Sequence, residues 1–294
     1  MKKLGQICSY IIAFIWRFLP WKVNEFLGRF LAFLWIDVFG IRRKVIDENL
    51  EIAFPGMSPA EKTSVARAAM VSLCRSFFDV MKIPSLNRDW IEKNIIFEGL
   101  DDFKKNKLEN QGVLFLTLHL GSGDLGAAII SKMVMPTTLI TKHFKNQFLD
   151  SFWFGLRGRS ETEFIDAHGK KNAFEILGAL KKNRGIFFVL DQFMGKPFGV
   201  ETSFFGVKTG TAYGLALFAK KTKLPVVPIY TFWDDNQKLH ICFSPAIDLT
   251  AEFSDTGSDT HELTTDRFNR ELERIITAHP RHWMWVHRRW KTFE

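Results

Sequence analysis

The sequence predicts an α/β fold in which a largely parallel central sheet is covered by helices, preceded by an N-terminal helical membrane anchor. Three observations carry this. After Trp90, short β-rich apolar runs alternate with helical stretches, the order that builds a parallel sheet with crossover helices. Before Trp90, apolar residues recur at steps of three and four. The chain's 294 residues, 46% of them hydrophobic, suffice for one full core with an appendage.

In order, Lys2 and Lys3 precede an apolar run from Ile7 to Trp16, closed by Arg17 and Pro20. That run is shorter than the ~20 residues of a spanning helix, and no small-residue cleavage site follows it. Val23, Phe26, Leu27, Phe30, Leu31, Leu34, Trp35 and Val38 then form one helical stripe, interrupted by Arg29 and Asp37. Two readings stand for it, a core helix and part of a retained anchor lying at the membrane surface. A basic amphipathic helix covers Arg42 to Phe54 and stops at Pro55-Gly56. Ser58 with Glu61 three residues on predicts a capping box, opening a helix toward Met81 that ends before Pro84.

Strands are predicted at Gly112–Leu118, Pro136–Thr141, Phe164–Ile165, Gly185–Leu190, Pro225–Tyr230 and Lys238–Phe243. Helices are predicted at Asp124–Met133, Gln147–Gly155, Asn172–Lys182 and Thr211–Lys221, then Asp266–Ala278 after a polar loop at Ser254–Thr265. The domain reading is therefore an anchor over 1–40 and a main domain over 41–294, with a helical lead-in to residue 90 and an α/β core from 91.

Forty Lys and Arg against 32 Asp and Glu leave a charge of +8, which suits an anionic partner. The basic residues are interleaved with aromatics, 30 Phe and nine Trp, which points to a membrane surface and away from nucleic acid. Cys8, Cys74 and Cys242 are far apart and form no CxxC pair, so they read as small apolar residues.

The stretch TLHLGSGDLG, Thr117 to Gly126, places His119 at a strand end and Asp124 one turn later, across a corner softened by Gly121 and Gly123. A histidine set by a carboxylate is a general base, and ligands of α/β sheets bind at strand carboxyl ends. Spacing alone does not single it out, because His261 and Asp266 repeat the same step in a polar stretch. Asp191 and Gln192 end the strand GIFFVL at the same level, before a loop holding Gly195, Pro197 and Gly199. Arg157 and Arg159 flank a glycine and suit phosphate or thioester recognition. Phe204, Phe205 and Gly206, then Thr209 to Thr211, read as a Gly/Thr-rich turn opening a helix, either a cap or an anion site. The run HPRHWMWVHRRWK, His279 to Lys291, reads either as a terminal helix with core tryptophans or as an interfacial belt in which His287, Arg288 and Arg289 grip head groups. His119 and Asp124 lack further close-spaced ligands, so no metal is required.

Together these stretches resemble the lauroyl/myristoyl acyltransferases of bacterial lipid A biosynthesis, within the lysophospholipid acyltransferase superfamily. The residues carrying the resemblance are Arg42-Arg43, Asn49-Leu50, Ala53-Phe54-Pro55, HLGSGD, Arg157 and Arg159, Asp191-Gln192, Phe204-Phe205-Gly206 with Thr209, Pro225-Val226-Val227-Pro228 and WMWVHRRWK. Many family members carry Glu at the position of Asp124. The resemblance implies a glycerolipid acyltransferase-like fold and a His119-Asp124 dyad that deprotonates a hydroxyl of a lipid A precursor. The donor would be an acyl thioester of acyl carrier protein, or acyl-CoA, with no cofactor. Arg157, then Arg159, would stabilise the oxyanion or bind phosphate, and Asp191 and Gln192 would shape the pocket. It also implies the inner membrane, with the catalytic domain on the cytoplasmic side. The alternative is acylation of another membrane lipid, such as a lysophospholipid, a phosphoinositol mannoside or an aminolipid.

Overall fold

The computed structural model describes residues 1–250 and 260–294. The first ninety residues are helical. Helices α1 (Lys2–Phe18) and α2 (Lys22–Ala32) are followed by a π-helical turn (Phe33–Val38), α3 (Arg43–Ala53) and α4 (Pro59–Asp79). The predicted capping box opens α4: Ser58 Oγ accepts from Glu61 N at 3.3 Å, and the Glu61 carboxylate accepts from Ser58 N at 2.9 Å. A 3₁₀ turn (Val80–Ser85) and α5 (Arg88–Asn94) lead to β1 (Ile95–Glu98) and α6 (Leu100–Lys105).

The α/β core then alternates through β2 (Val113–Thr117), α7 (Gly123–Met133), β3 (Thr137–Thr141), α8 (Gln147–Arg157), β4 (Glu163–Asp166), α9 (Asn172–Lys181) and β5 (Gly185–Val189). A hairpin of β6 (Gly199–Phe204) and β7 (Val207–Ala212) precedes α10 (Gly214–Thr222), β8 (Val226–Trp233), β9 (Leu239–Phe243) and α11 (Thr260–Ala278).

The seven-stranded sheet has the order β1-β9-β8-β2-β5-β3-β4. Strands β8, β2, β5, β3 and β4 run parallel, while β9 and β1 run the other way. Central strand β2 is buried from Val113 to Leu116, as expected where helices cover both faces. Its alternation divides the core. Leu114 and Leu116 join a cluster with Ile46, Leu50 and Phe268 on one face, and Val113 and Phe115 join Leu125, Ile129 and Phe103 on the other.

Helix α1 has its small side out of the ordinary direction. Gly5, Ser9 and Ala13, at steps of four, are buried, whereas Leu4, Ile7, Tyr10, Ile11, Phe14 and Phe18 are exposed. The buried stripe lies on α8 so closely that a Cβ at Gly5 would fall 2.2 Å from Ser151 Oγ. No single helix among the described residues is long and apolar enough to cross a membrane. Residues Lys2–Phe18 and Lys22–Val38 meet that test only together, bent by 116°.

Three expectations are corrected. Strand β1 and the β6–β7 hairpin were not predicted, and Thr209 and Thr211 lie inside β7 with buried side chains, not at a helix-opening turn. Of the predicted turn only Phe205-Gly206 is one, a hairpin loop and not a helix start, with φ of +48° and +75°, the two positive values a two-residue loop demands. The closing helix begins at Thr260, so the last six residues of the predicted polar loop are helical, and its residues 254–259 lie outside the described ones. The C-terminal run is neither helix nor surface belt. After a 3₁₀ turn (Pro280–His282) it threads the core as irregular chain, with Trp283 and Trp285 fully buried.

Candidate active site

The parallel pairing of β2 with β5 sets the site. Thr117 is in register with Val189, so the residues two positions further on, His119 and Asp191, emerge side by side. Asp191 Oδ1 accepts from His119 Nδ1 at 2.8 Å, and Asp191 Oδ2 accepts from His119 N at 2.9 Å. Because a carboxylate only accepts, Nδ1 carries the proton and Nε2 is left as the free base. The ring is 42% exposed, while Asp191 is 1% exposed.

Burial opposes charge on both groups. For His119 the Asp191 charge and hydrogen bond outweigh it and hold the imidazole above its ordinary 6.5. For Asp191 the His119 charge, with hydrogen bonds from His119 and Trp283, outweighs it and holds the carboxyl below its usual range.

The carboxylate hydrogen-bonded to His119 is thus Asp191, not Asp124 as the HX4D spacing suggests. Asp124 belongs to the first turn of α7 and instead meets Arg157 at 2.6 Å. The reason for the difference is range: a five-residue step is local, whereas the contact that orients the ring comes from strand register 72 residues away. The decoy pair separates as well. Asp266 accepts from Ser203 N at 3.0 Å and pairs with Arg270, and His261 stacks on Tyr213.

A strap from the C-terminus completes the corner. Met284 N donates to His119 O and Gly121 N to His282 O, both at 3.1 Å, and Trp283 Nε1 donates to Asp191 Oδ2 at 2.8 Å. Gly121 is required here: its φ is +64°, and a Cβ would fall 2.1 Å from Thr231 O. The strap is held in turn by α3, where the Asn49 amide donates to Trp285 O and His287 O at 2.7 Å each. Sequence reading singled out Asn49 and the tryptophan run but gave no sign that they touch.

His119 opens into a cavity of about 500 Å³, a usual size for a ligand site. Its polar wall carries Asp124, Arg157 and Gln192, and its apolar wall includes Ile130, Leu139, Trp153 and Phe187. The Arg157 side chain is 7% exposed and its guanidinium lies 4.6 Å above Phe164. Arg159 does not reach the cavity; it stacks 3.8 Å over Tyr10 and so ties α1 to the end of α8.

The three basic residues assigned to head groups are also separated. Arg288 is exposed. Arg289 is fully buried, donating to Gly210 O at 2.8 Å and Thr211 Oγ1 at 2.6 Å, over the Phe204 ring. His287 accepts from Phe193 N at 3.2 Å, and burial pushes it down to about 4, so it is neutral at pH 7. Arg289 and His287 therefore build the fold, because the tryptophans that flank them draw this segment inward. Arg289→Ala is expected to destabilise the protein by about 2–3 kcal/mol in urea unfolding, since it removes two charge-assisted hydrogen bonds and a large buried side chain packed on Phe204. Arg288→Ala is expected to leave stability unchanged.

Among the described residues no three His, Cys, Asp or Glu side chains converge to hold a metal ion. Residues 3–292 match the family model for bacterial lipid A biosynthesis acyltransferases. The chain is 25% identical over 285 residues to the lipid A biosynthesis palmitoleoyltransferase of Escherichia coli (strain K12), covering 96% of this chain and 89% of that one. It is 25% identical over 279 residues to the lauroyltransferase of the same strain, covering 93% and 87%, and 21% identical over 268 residues to its myristoyltransferase, covering 90% and 79%. With the match running almost end to end and spanning the strap, the cavity and the N-terminal helices together, the chain belongs to the bacterial lipid A biosynthesis acyltransferase family.

Proposed function

We propose that the cavity is where this enzyme passes a fatty acyl chain from acyl carrier protein to a hydroxyl of a lipid A precursor. His119 Nε2 takes the proton of the acceptor hydroxyl, and the oxygen forms a new bond to the thioester carbonyl. When the tetrahedral intermediate collapses, the C–S bond breaks and the thiolate leaves with the proton from His119. Asp191 keeps Nδ1 protonated and stabilises the imidazolium between the two transfers. The observation that carries this reading is the His119–Asp191 pair opening on a partly apolar cavity.

Arg157 brings a guanidinium to the cavity wall beside Asp124, placed to bind the acceptor phosphate or the developing oxyanion. Arg157→Met is expected to lower kcat/KM by about 10²-fold, and a steady-state assay of the folded variant checks it. The exposed apolar side of α1, with Lys2, Lys3 and Arg17 at its ends, supports seating on an anionic membrane surface. We assign that surface to the cytoplasmic side of the inner membrane.

The testing experiment incubates purified protein with an acylated carrier protein and a tetra-acylated lipid A precursor, followed by mass spectrometry. The expected result is a mass gain of one acyl chain on the precursor. No gain there, with gain on a lysophospholipid, contradicts the acceptor assignment.

A further inference from the structure

Outside the cavity, Asp79, the last residue of α4, is a charge with four side-chain partners. It is completely buried. One oxygen accepts from the Asn24 amide at 2.9 Å, and the other accepts from Ser122 Oγ at 2.6 Å and Trp233 Nε1 at 3.1 Å. Arg75, one turn earlier, lies 3.6 Å away with its guanidinium 3.6 Å over the Trp233 ring. These partners come from three separate places: Asn24 from α2, Trp233 from the end of β8, and Ser122 from the turn between His119 and Asp124.

The arrangement reaches the N-terminus. Asn24 Oδ1 accepts from Trp16 Nε1 of α1 at 3.0 Å. Lys82, three residues beyond Asp79, donates to the carbonyls of Trp16 and Leu19, where α1 gives way to α2. Helix α2 approaches α4 closely at this level, because Gly28 lies where a Cβ would stand 2.9 Å from the Arg75 backbone.

None of Asn24, Arg75, Asp79 and Trp233 lines the cavity, whereas Gly121 and Gly123, on either side of Ser122, both do. A turn bounded by two glycines has little stiffness of its own. Leu120 is buried in the core beside it, and Ser122 is the polar side chain that fastens the turn to the protein interior. A buried charge of this kind is weak evidence for stability, since apolar replacements often serve as well, and its best attested use is to fix one arrangement among several.

We propose that Asp79 is a positioning residue: through Ser122 it holds the His119–Asp124 turn in its working geometry, and through Asn24 it makes that geometry depend on the seating of α1 and α2. The proposal rests on the reading that this turn is catalytic. It places the N-terminal helices in the mechanism, beyond any part they play in attachment.

The test measures hydrogen exchange over residues 118–126 and steady-state kinetics for the full-length wild type, Asn24→Ala and Asp79→Asn, all in detergent micelles. Asn24 touches neither the turn nor the cavity, so a purely local role for it leaves both readouts unmoved. The expected result is exchange in the turn faster by about tenfold in both variants. Turnover is expected to fall by up to about 10²-fold, with KM for the acyl donor within about twofold of wild type. Unchanged exchange and unchanged kcat in folded Asn24→Ala overturn the proposal, as does a rise in KM at constant kcat. Should Asp79→Asn fail to fold, Asn24→Ala decides alone. Should the wild type transfer no acyl chain to any lipid, the exchange measurement still decides the tether, so the two readings fail separately.

Discussion

A His119→Ala enzyme is expected to lose about 10²- to 10⁴-fold in kcat/KM, the range that a positioned general base supplies. Its unfolding midpoint is expected to fall only modestly: the ring is 42% exposed to the cavity and packs into neither core cluster, but buried Asp191 loses one of its three hydrogen bonds. Steady-state rates alongside urea unfolding check both halves. A variant that retains full rate removes His119 from the chemistry, and one that unfolds makes it structural.

Replacing Asp191 is expected to be as severe in rate and more severe in stability. Asp191→Asn keeps the shape but presents one acceptor oxygen and one NH2 donor where two acceptor oxygens stood. His119 is then no longer obliged to carry its proton on Nδ1, and Nε2 is no longer reserved as the base. A loss of about 10³- to 10⁴-fold in kcat is expected from this change of tautomer and the missing charge. With the amide nitrogen in the Oδ2 position instead, Trp283 Nε1 and His119 N both lose their acceptor in a buried place, which costs about 1–3 kcal/mol for each.

The two pKa shifts give these variants a pH signature. Asp191 titrates below its ordinary value in the folded protein, so its contribution to stability is present above the unfolded carboxylate value and lost as pH falls through the folded one. His119 titrates above 6.5, so its contribution is complete below 6.5 and lost as pH rises through the folded value. The pair therefore stabilises most between about pH 4 and 6.5. Catalysis requires neutral His119 and increases as pH rises through the raised value. The conditions that favour turnover are those in which the pair contributes less to the fold.

Much of this arrangement was legible in the chain. The alternation after Trp90 gave β2, β3, β5 and β8 with the helices between them, because apolar period and strand length are local properties. Ser58 and Glu61 disclosed the start of α4 for the same reason. The glycines about Ser122 marked a corner where backbone approaches closely, and Gly121 against Thr231 O is that approach. Strand β1 escaped because it has only four residues, Ile95–Glu98, of which Ile95 alone is buried, so it carries little pattern. The β6–β7 hairpin escaped because Thr-rich strands resemble a polar turn; Gly206 after Phe205 was the available sign.

The site divided along the same line. His119, Asp124, Arg157, Asp191 and Gln192 were all marked by sequence, and all line the cavity or stand against one that does. Which carboxylate serves His119 was not legible, since strand register decides it and no local spacing encodes register. Arg289 and His287 misled in a different way. A cationic aromatic run has the composition of a membrane belt, yet Trp283 and Trp285 bury it, and its buried cation then finds carbonyl and hydroxyl partners within the protein.

The central claim is that His119 works as a base under Asp191 and not under Asp124, and the pH dependence of kcat/KM tests it most directly. For the wild type the acidic limb is predicted to lie above 6.5. In Asp191→Asn it is predicted to move downward, because the charge and hydrogen bond that raise His119 are gone. In Asp124→Asn it is predicted to move less, because Asp124 acts on His119 only by its charge and is paired with Arg157. A limb that shifts in Asp124→Asn and stays fixed in Asp191→Asn contradicts the account.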